Sequence, residues 1–382
     1  MQVITEHKVV PKLRFGEFRD DWKKKQLLDF CRFFSGGTPS SSNREYYEGD
    51  IPFIGSGDIY DSQVFKFISQ EAFNSSSAKL VEKGDLLYAL YGANSGDSAI
   101  SKLEGAINQA ILCIRTNESN EYLNYLLVSN KDKIVSKYLQ GGQGNLSAQI
   151  IKRLRYNMPS LEEQQKIASF LSAVDAKLQQ LTKKAALLEA YKKGLMQKIF
   201  SRQLRFKDEF GNNFPDWEEK KLGEFCDITT GKSNREDSGL DGEYTFFDRS
   251  EDIRKSSIYL FDAEAVIVAG EGSSFPPKYF KGKFDLHQRT YAIMGFENLF
   301  GRYLFYYLHQ YKNYFVRYAV GSTVKSLRLP IFKKMNIHHP SFEEQKKIAN
   351  FLLSIDKKIE LVSTQIENTK AFKKGLLQQM FV

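Results

Sequence analysis

The chain has 382 residues, with 55 Lys and Arg against 46 Asp and Glu, a formal charge of +9 at pH 7. The length allows two or more domains. No long apolar run offers a membrane span, and the first residues, M-Q-V-I-T-E-H-K-V-V-P-K, lack the apolar centre of a signal peptide. The scattered cysteines Cys31, Cys113 and Cys226 fit a reduced cytoplasmic interior rather than disulfides or a metal site, and the basic balance fits a polyanionic partner.

A lead-in over 1–17 ends in L-R-F (Leu13 to Phe15) and is followed by Asp21-Trp22, D-F-C (Asp29 to Cys31) and a glycine turn, S-G-G-T-P-S (Ser35 to Ser40). A domain over 18–158 comes next. Its runs G-D-L-L-Y-A-L-Y-G (Gly84 to Gly92) and A-I-N-Q-A-I-L-C-I-R (Ala106 to Arg115) read as buried strands. An aromatic helix, E-Y-L-N-Y-L-L-V (Glu121 to Val128), and a glycine-rich loop, G-G-Q-G-N-L-S (Gly141 to Ser147), close it.

The stretch P-S-L-E-E-Q-Q-K-I-A-S-F-L then opens a long helix over 159–202. Its apolar seam, Ile167, Leu171, Val174, Leu178, Leu181, Ala185, Leu188, Leu195 and Ile199, alternates steps of three and four, the pattern of a coiled coil. Pro159 precedes the helix without cost. Ser160 is placed as N-cap, and Glu163 stands at capping-box distance from it.

The same order then returns. L-R-F (Leu204 to Phe206) stands in a repeated lead-in over 203–213, before Asp216-Trp217, E-F-C (Glu224 to Cys226) and T-G-K-S-N-R (Thr230 to Arg235). A second domain over 203–339 has A-V-I-V-A-G (Ala265 to Gly270) and L-H-Q-R-T-Y-A-I-M (Leu286 to Met294) as strands, G-R-Y-L-F-Y-Y-L (Gly301 to Leu308) as helix and G-S-T-V-K-S-L (Gly321 to Leu327) as loop. P-S-F-E-E-Q-K-K-I-A-N-F-L opens a second long helix over 340–382, aligned without a gap to the first at a constant offset of 181 residues. Its seam is Ile348, Leu352, Ile355, Ile359, Val362, Ile366, Leu376 and Met380, and Ser341 and Glu344 repeat the cap spacing. Lys192 and Lys373 interrupt the two seams at the same place, where a polar residue sets register. The expectation is an α+β chain with a pseudo-twofold internal repeat. Two globular domains with mixed β-sheets are separated by two long helices that pair as an antiparallel coiled coil.

The doubled P-x-x-E-Q-x-K-I-A-x-F-L helix is carried by Pro159, Glu162, Glu163, Gln164, Ile167 and Leu171 and again by Pro340, Glu343, Glu344, Gln345, Ile348 and Leu352. With the L-R-F…D-W lead-ins and the G-D-L-L-Y…Y-G…I-N-Q-A strand pair, it resembles the DNA-specificity subunit of Type I restriction-modification systems over essentially the whole chain. The second domain departs from that pattern at A-E-A-V-I-V-A-G-E-G. The resemblance implies that each domain is a target-recognition domain reading one half of a split double-stranded DNA site. It implies that the helices fix the gap and dock two methyltransferase subunits, that restriction subunits join the full complex, and that the chain itself carries no catalysis; no cofactor or metal site is read from its residues. Partner contacts are expected on helix faces such as Glu162, Lys166 and Lys193, and Glu343, Lys347 and Lys374.

Major-groove readout favours Arg or Lys on guanine and Asn or Gln on adenine. The DNA-reading candidates in the first domain are Thr38, Ser40, Asn43 and Arg44, then Asn94 and Ser95, then Gln143 and Asn145. In the second they are Lys232, Ser233, Asn234 and Arg235, then Ser273, Ser274 and Lys278, then Ser322, Thr323 and Lys325. Gln109, Gln288 and Arg289 are further candidates, although the two glutamines read equally well as buried structural amides. T-G-K-S at Thr230 to Ser233 lacks the earlier glycine of a phosphate loop, where Cys226 stands. P-D-W-E-E-K, F-P-P-K-Y and His338-His339 likewise lack the partners that nuclease, methyltransferase or metal chemistry needs. A scaffold that binds only protein and a fused modification enzyme stay open as alternatives.

Overall fold

The computed structural model describes residues 10–139, 145–250 and 252–382. Two compact units emerge, one of residues up to Leu181 together with Gln365–Val382, the other of Thr182–Thr364. The division falls within both long helices, so each unit holds a piece of each.

The first unit carries β1 (Lys23–Gln26), β2 (Cys31–Ser35), β3 (Ile51–Ile54), β4 (Phe67–Ile68), β5 (Lys79–Val81), β6 (Leu86–Ala89), β7 (Ser98–Ile100), β8 (Gly105–Ile107), β9 (Ile111–Thr116) and β10 (Arg155–Met158). They form two sheets, in the orders β2-β9-β6-β7 and β4-β3-β8-β5, with β1 paired to β10. The second unit carries β11 (Glu218–Lys221), β12 (Asp227–Thr230), β13 (Tyr244–Phe247), β14 (Arg254–Ser256), β15 (Phe261–Ala269), β16 (Glu271–Gly272), β17 (Lys278–Leu286), β18 (Thr290–Met294), β19 (Lys325–Ser326) and β20 (Asn336–His339). Here one sheet runs β12-β18-β15-β17-β13-β14, with β11 on β20 and β16 on β19.

The two strand sets are versions of one frame. The run pairs read from the sequence are neighbours, Leu87 opposite Cys113 and Val266 opposite Ile293. The parallel pair β3–β8, with Ile54 opposite Ile107, answers β13–β17, with Phe247 opposite Leu286. In the second unit β15 and β17 form one hairpin from Phe261/Phe284 to Ile267/Lys278. In the first the same path is cut by a turn at Gly84, whose φ of +98° favours glycine. One part pairs as β5–β8 and the other as β6–β7, which makes two sheets of one.

Both long helices form as expected, Leu161–Phe200 (the central helix) and Phe342–Gln379 (the C-terminal helix), each about 60 Å long at 1.5 Å per residue. Every seam residue named above is buried or half-buried. In the first unit Ile167 and Leu171 share a core with Leu376, Met380 and Phe381, under Tyr122, Leu123 and Leu126 of the aromatic helix. In the second Met196, Ile199 and Phe200 share one with Ile348 and Leu352, under Tyr303, Leu304 and Leu308. Within each unit the helices run antiparallel. Burial of each such side chain stabilises by about 1.5–3 kcal/mol, so within each unit the aromatic helix and the local piece of each long helix are held together.

The seam lysines find partners across the pair. Lys192 Nζ lies 2.5 Å from Asp356 Oδ1, and Lys373 Nζ lies 2.6 Å from Asp175 Oδ1. The second oxygen of each aspartate accepts a tyrosine hydroxyl, Tyr306 at 2.5 Å and Tyr125 at 2.8 Å.

At the helix starts Ser160 Oγ accepts the Glu163 amide at 3.3 Å and Ser341 Oγ the Glu344 amide at 3.4 Å, as N-caps. The glutamates do not complete a capping box. Both are buried, and their carboxylates receive arginine forks instead. Arg14 donates Nε and Nη2 to Glu163, and Arg205 donates the same pair to Glu344, all at 2.8 Å. A charge-assisted bidentate pair outcompetes a single backbone amide for a buried carboxylate. The neighbouring glutamines, also buried, tie the turn before each aromatic helix. Gln164 Oε1 accepts the Ser119 amide at 3.4 Å, and Gln345 Oε1 accepts the Phe300 amide at 2.7 Å.

Candidate nucleic-acid interface

The first turn of each domain leaves β2 or β12 through a glycine pressed against the end of β8 or β17. A Cβ on Gly36 would lie 1.7 Å from the Ile107 carbonyl oxygen, and one on Gly231 would lie 1.6 Å from that of Leu286. Only glycine permits that approach. The turn is then tied to the residues that follow the strand. Thr38 Oγ1 donates to Gln109 Oε1 at 2.5 Å, and Gln288 Nε2 donates to Asn234 Oδ1 at 2.6 Å. Both glutamines are exposed, which removes the buried-amide reading. Ser233, in contrast, is buried and donates to Asp285 Oδ1 at 2.7 Å, so its hydroxyl supports the turn instead of facing solvent. Lys232, Asn234 and Arg235 are exposed.

The other described candidates of the first domain lie in turns and loops with local contacts of their own. Asn94 Nδ2 donates to the Ser56 carbonyl at 3.1 Å, and Ser95 Oγ donates to that of Gly92 at 3.0 Å. Tyr91 bridges exposed Asn145 through the backbone, and its side chain lies beside that of Gln109. Ser40 and Ser42 hydroxyls lie 2.7 Å apart, and Asn43 Oδ1 accepts the Glu45 amide at 3.1 Å as a turn cap. Arg44 is almost wholly exposed, 3.5 Å from Glu48. Gln143 lies outside the described residues.

In the second domain a cavity of about 210 Å³ is lined by Arg235, Asp248, Arg249, Glu271, His287, Gln288 and Arg289. Arg289 Nη1 lies 2.8 Å from Glu271 Oε1, and Arg249 Nη1 lies 3.9 Å from Oε2. Arg235 stands 3.9 Å from Asp248. Burial, with Arg289 and Arg249 nearby, holds His287 below the usual histidine range despite Asp248. Its neutral ring accepts the Arg289 amide on Nδ1 at 3.1 Å. Ser273, Ser274 and Lys278 line an adjoining cavity that shares Arg249 and Glu271, and Lys278 Nζ donates to the Ser250 carbonyl at 2.6 Å. Ser322 and Thr323 are exposed, while Lys325 lies in β19 and donates to the Val316 carbonyl at 3.1 Å.

The family described as Type I restriction modification DNA specificity domain matches residues 19–190 and again 215–370. The chain belongs to this family. The specificity subunit is 25% identical over 395 residues to the type I restriction enzyme MjaVIII specificity subunit of Methanocaldococcus jannaschii, covering 94% of this chain and 91% of that one. It is 32% identical over 156 residues to the EcoDI specificity subunit of Escherichia coli, covering 41% of this chain and 33% of the other. Its fold is similar to the crystal structure of a Type I system S subunit from M. genitalium, with a TM-score of 0.66 at 16% identity over 98% of this chain and 99% of that one.

Within the specificity subunit the backbone aligns the loops that the sequence left unaligned. Leu90 N donates to Ala110 O as Gly270 N does to Arg289 O, each at 2.8 Å. Leu146 N donates to Leu90 O at 2.8 Å as Leu327 N does to Gly270 O at 2.7 Å. Tyr91-Gly92 therefore corresponds to Glu271-Gly272, and Ala110 to Arg289. Arg249, Glu271 and His287 were not among the residues singled out from the sequence. The one textual signal for Glu271 is the glycine that follows both it and Tyr91.

Proposed function

We propose that the specificity subunit reads a bipartite, asymmetric DNA site, one half through each domain, and that it is itself non-catalytic. Domains over 18–158 and 203–339 are the two readers, and the helices over 159–202 and 340–382 set the number of unread base pairs between the halves. Different side chains on one repeated frame support this reading, because a duplicated reader with diverged loops recognises two unlike half-sites. In the first domain Thr38, Arg44, Asn94, Gln109 and Asn145 face the duplex; in the second Lys232, Asn234, Arg235, Gln288 and Arg289 do so. Their amide and guanidinium groups suit adenine and guanine edges in the major groove, while Ser40, Ser95, Ser273, Ser274, Ser322 and Thr323 suit phosphate and sugar contacts.

Two methyltransferase subunits dock on the long helices, and restriction subunits join them in the cytoplasm. Exposed Tyr191 and Phe372, equivalent at the 181-residue offset, offer one apolar anchor each. Of the charged faces named from the sequence, Lys347 donates to the Lys207 carbonyl at 2.8 Å and Lys166 lies 3.6 Å from Glu17, so Glu162, Lys193, Glu343 and Lys374 are the better contacts.

The test is to replace residues 18–158 with the matching domain of a relative and to map methylation in cells. One half-site changes and the other, with the gap length, stays. A change in both halves refutes modular reading, and methyl transfer by the isolated chain refutes a non-catalytic role.

A further inference from the structure

We infer that Arg289, aimed by Glu271, reads a guanine in the half-site contacted by the second domain, which makes Glu271 a positioning residue for specificity. The inference rests on the DNA-reading function proposed above. It starts from the equivalence of the two frames. At one backbone position the first domain presents Tyr91 and Ala110, and the second presents Glu271 and Arg289, although the hydrogen bonds that hold the chain there are the same. A place where the scaffold is kept and the chemistry replaced is where two half-sites are told apart.

The scaffold is stiff. Glu271 lies in β16, opposite Ser326 of β19. A Cβ on Gly270 would sit 2.4 Å from the Arg289 carbonyl oxygen, so the two backbones are in contact. The Glu271 side chain is 18% exposed and that of Arg289 62% exposed. The carboxylate therefore sits low and engages Nη1, while the guanidinium extends above it. A guanidinium so anchored presents its remaining N–H groups as a planar fork, the shape that matches O6 and N7 of guanine.

The carboxylate also argues against a plain phosphate anchor. Glu271 and Asp248 stand among Arg235, Arg249 and Arg289 and offset most of their positive charge, which weakens the pull on a phosphate placed in the same cavity. A base edge is read by hydrogen-bond geometry and does not depend on that pull.

The experiment uses the full chain with its methyltransferase, incubated with a pool of randomised duplexes, and sequences the bound fraction. The wild type is expected to enrich a split sequence with a guanine in the half assigned to residues 203–339 by domain exchange. Arg289→Ala lowers preference at that one position by about 10- to 100-fold, the range of a lost bidentate contact, and leaves the other half unchanged. Arg289→Lys keeps charge and stem but lacks the fork and does not restore it. Glu271→Gln lowers preference at the same position several-fold with the salt dependence of binding unaltered. A uniform loss across all sequences with a shallower salt slope in Arg289→Ala makes the residue a phosphate contact and overturns the inference. So does an unchanged profile in Arg289→Ala, or in Arg289→Lys should the alanine variant not fold. An unchanged profile in Glu271→Gln overturns the positioning role. A wild type that enriches no split sequence removes the DNA-reading function itself, whatever the variants do.

Discussion

Asp356→Leu tests whether the polar groups in the helix seam stabilise or specify. Asp356 holds Lys192 on one oxygen and the Tyr306 hydroxyl on the other, and the lysine and aspartate side chains are 16% and 30% exposed. Breaking a fully buried pair by removing one partner costs about 3–5 kcal/mol, most of it for the charge left behind. The exposure here reduces that to about 2–3 kcal/mol. The paired change Lys192→Met with Asp356→Leu leaves no orphan charge, and its expected cost is under about 1 kcal/mol. Urea unfolding at pH 7 measures both, with Trp217 reporting the second unit and Trp22 the first. The loss should appear in the Trp217 transition alone, because all three groups lie in that unit. A single variant within about 0.5 kcal/mol of wild type would show that no orphaned charge is felt, and a double variant as unstable as the single would show that the pair itself stabilises; either result refutes the reasoning.

Trp22 Nε1 donates to Glu163 Oε2 at 3.3 Å, whereas the buried Trp217 Nε1 has no partner among the described residues. Trp22→Phe should therefore cost about 1 kcal/mol more than Trp217→Phe in thermal or urea unfolding. Gly231→Ala places a methyl group on the Leu286 carbonyl; an expected loss of about 2–4 kcal/mol should come with loss of recognition of the second half-site only, read by methylation mapping. His287, His309 and His339, all in the second unit, are held below the usual histidine value chiefly by burial. The unfolded chain then binds more protons below about pH 6.5. Stability from these groups is full above that pH and falls as pH drops toward the folded values. Between pH 7.5 and 6 the urea midpoint of the second unit should fall more than that of the first, whose described residues include no histidine, and replacing the three should flatten the difference.

The long helices were legible because an apolar seam repeats over their whole length and burial follows it. The strand pairs were legible as continuous apolar runs, and both have the expected neighbours. Glu163 was read as a cap residue because spacing along a helix says nothing of a side chain arriving from 149 residues away, as Arg14 does. Ser233 looked like a surface turn residue, and only the buried Asp285 carboxylate explains why it points inward. The Arg249–Glu271–Arg289 group was invisible because its members come from three separate segments, brought together by backbone hydrogen bonds that leave no trace in residue type. Gln109 and Gln288 could be paired by alignment, but their exposure depended on the turns across from them.

The first unit draws Leu376, Met380 and Phe381 into its core, and the Leu13 amide donates to the Gln379 carbonyl at 2.9 Å. These residues are made about two hundred positions after the domain they complete. During synthesis the earlier half must wait, its apolar floor uncovered, while the later half is translated and settles. A ribosome that stalls near Thr364 would release a polypeptide with an intact second unit and an unsealed first one, a species suited to capture by chaperones or proteases before it meets DNA.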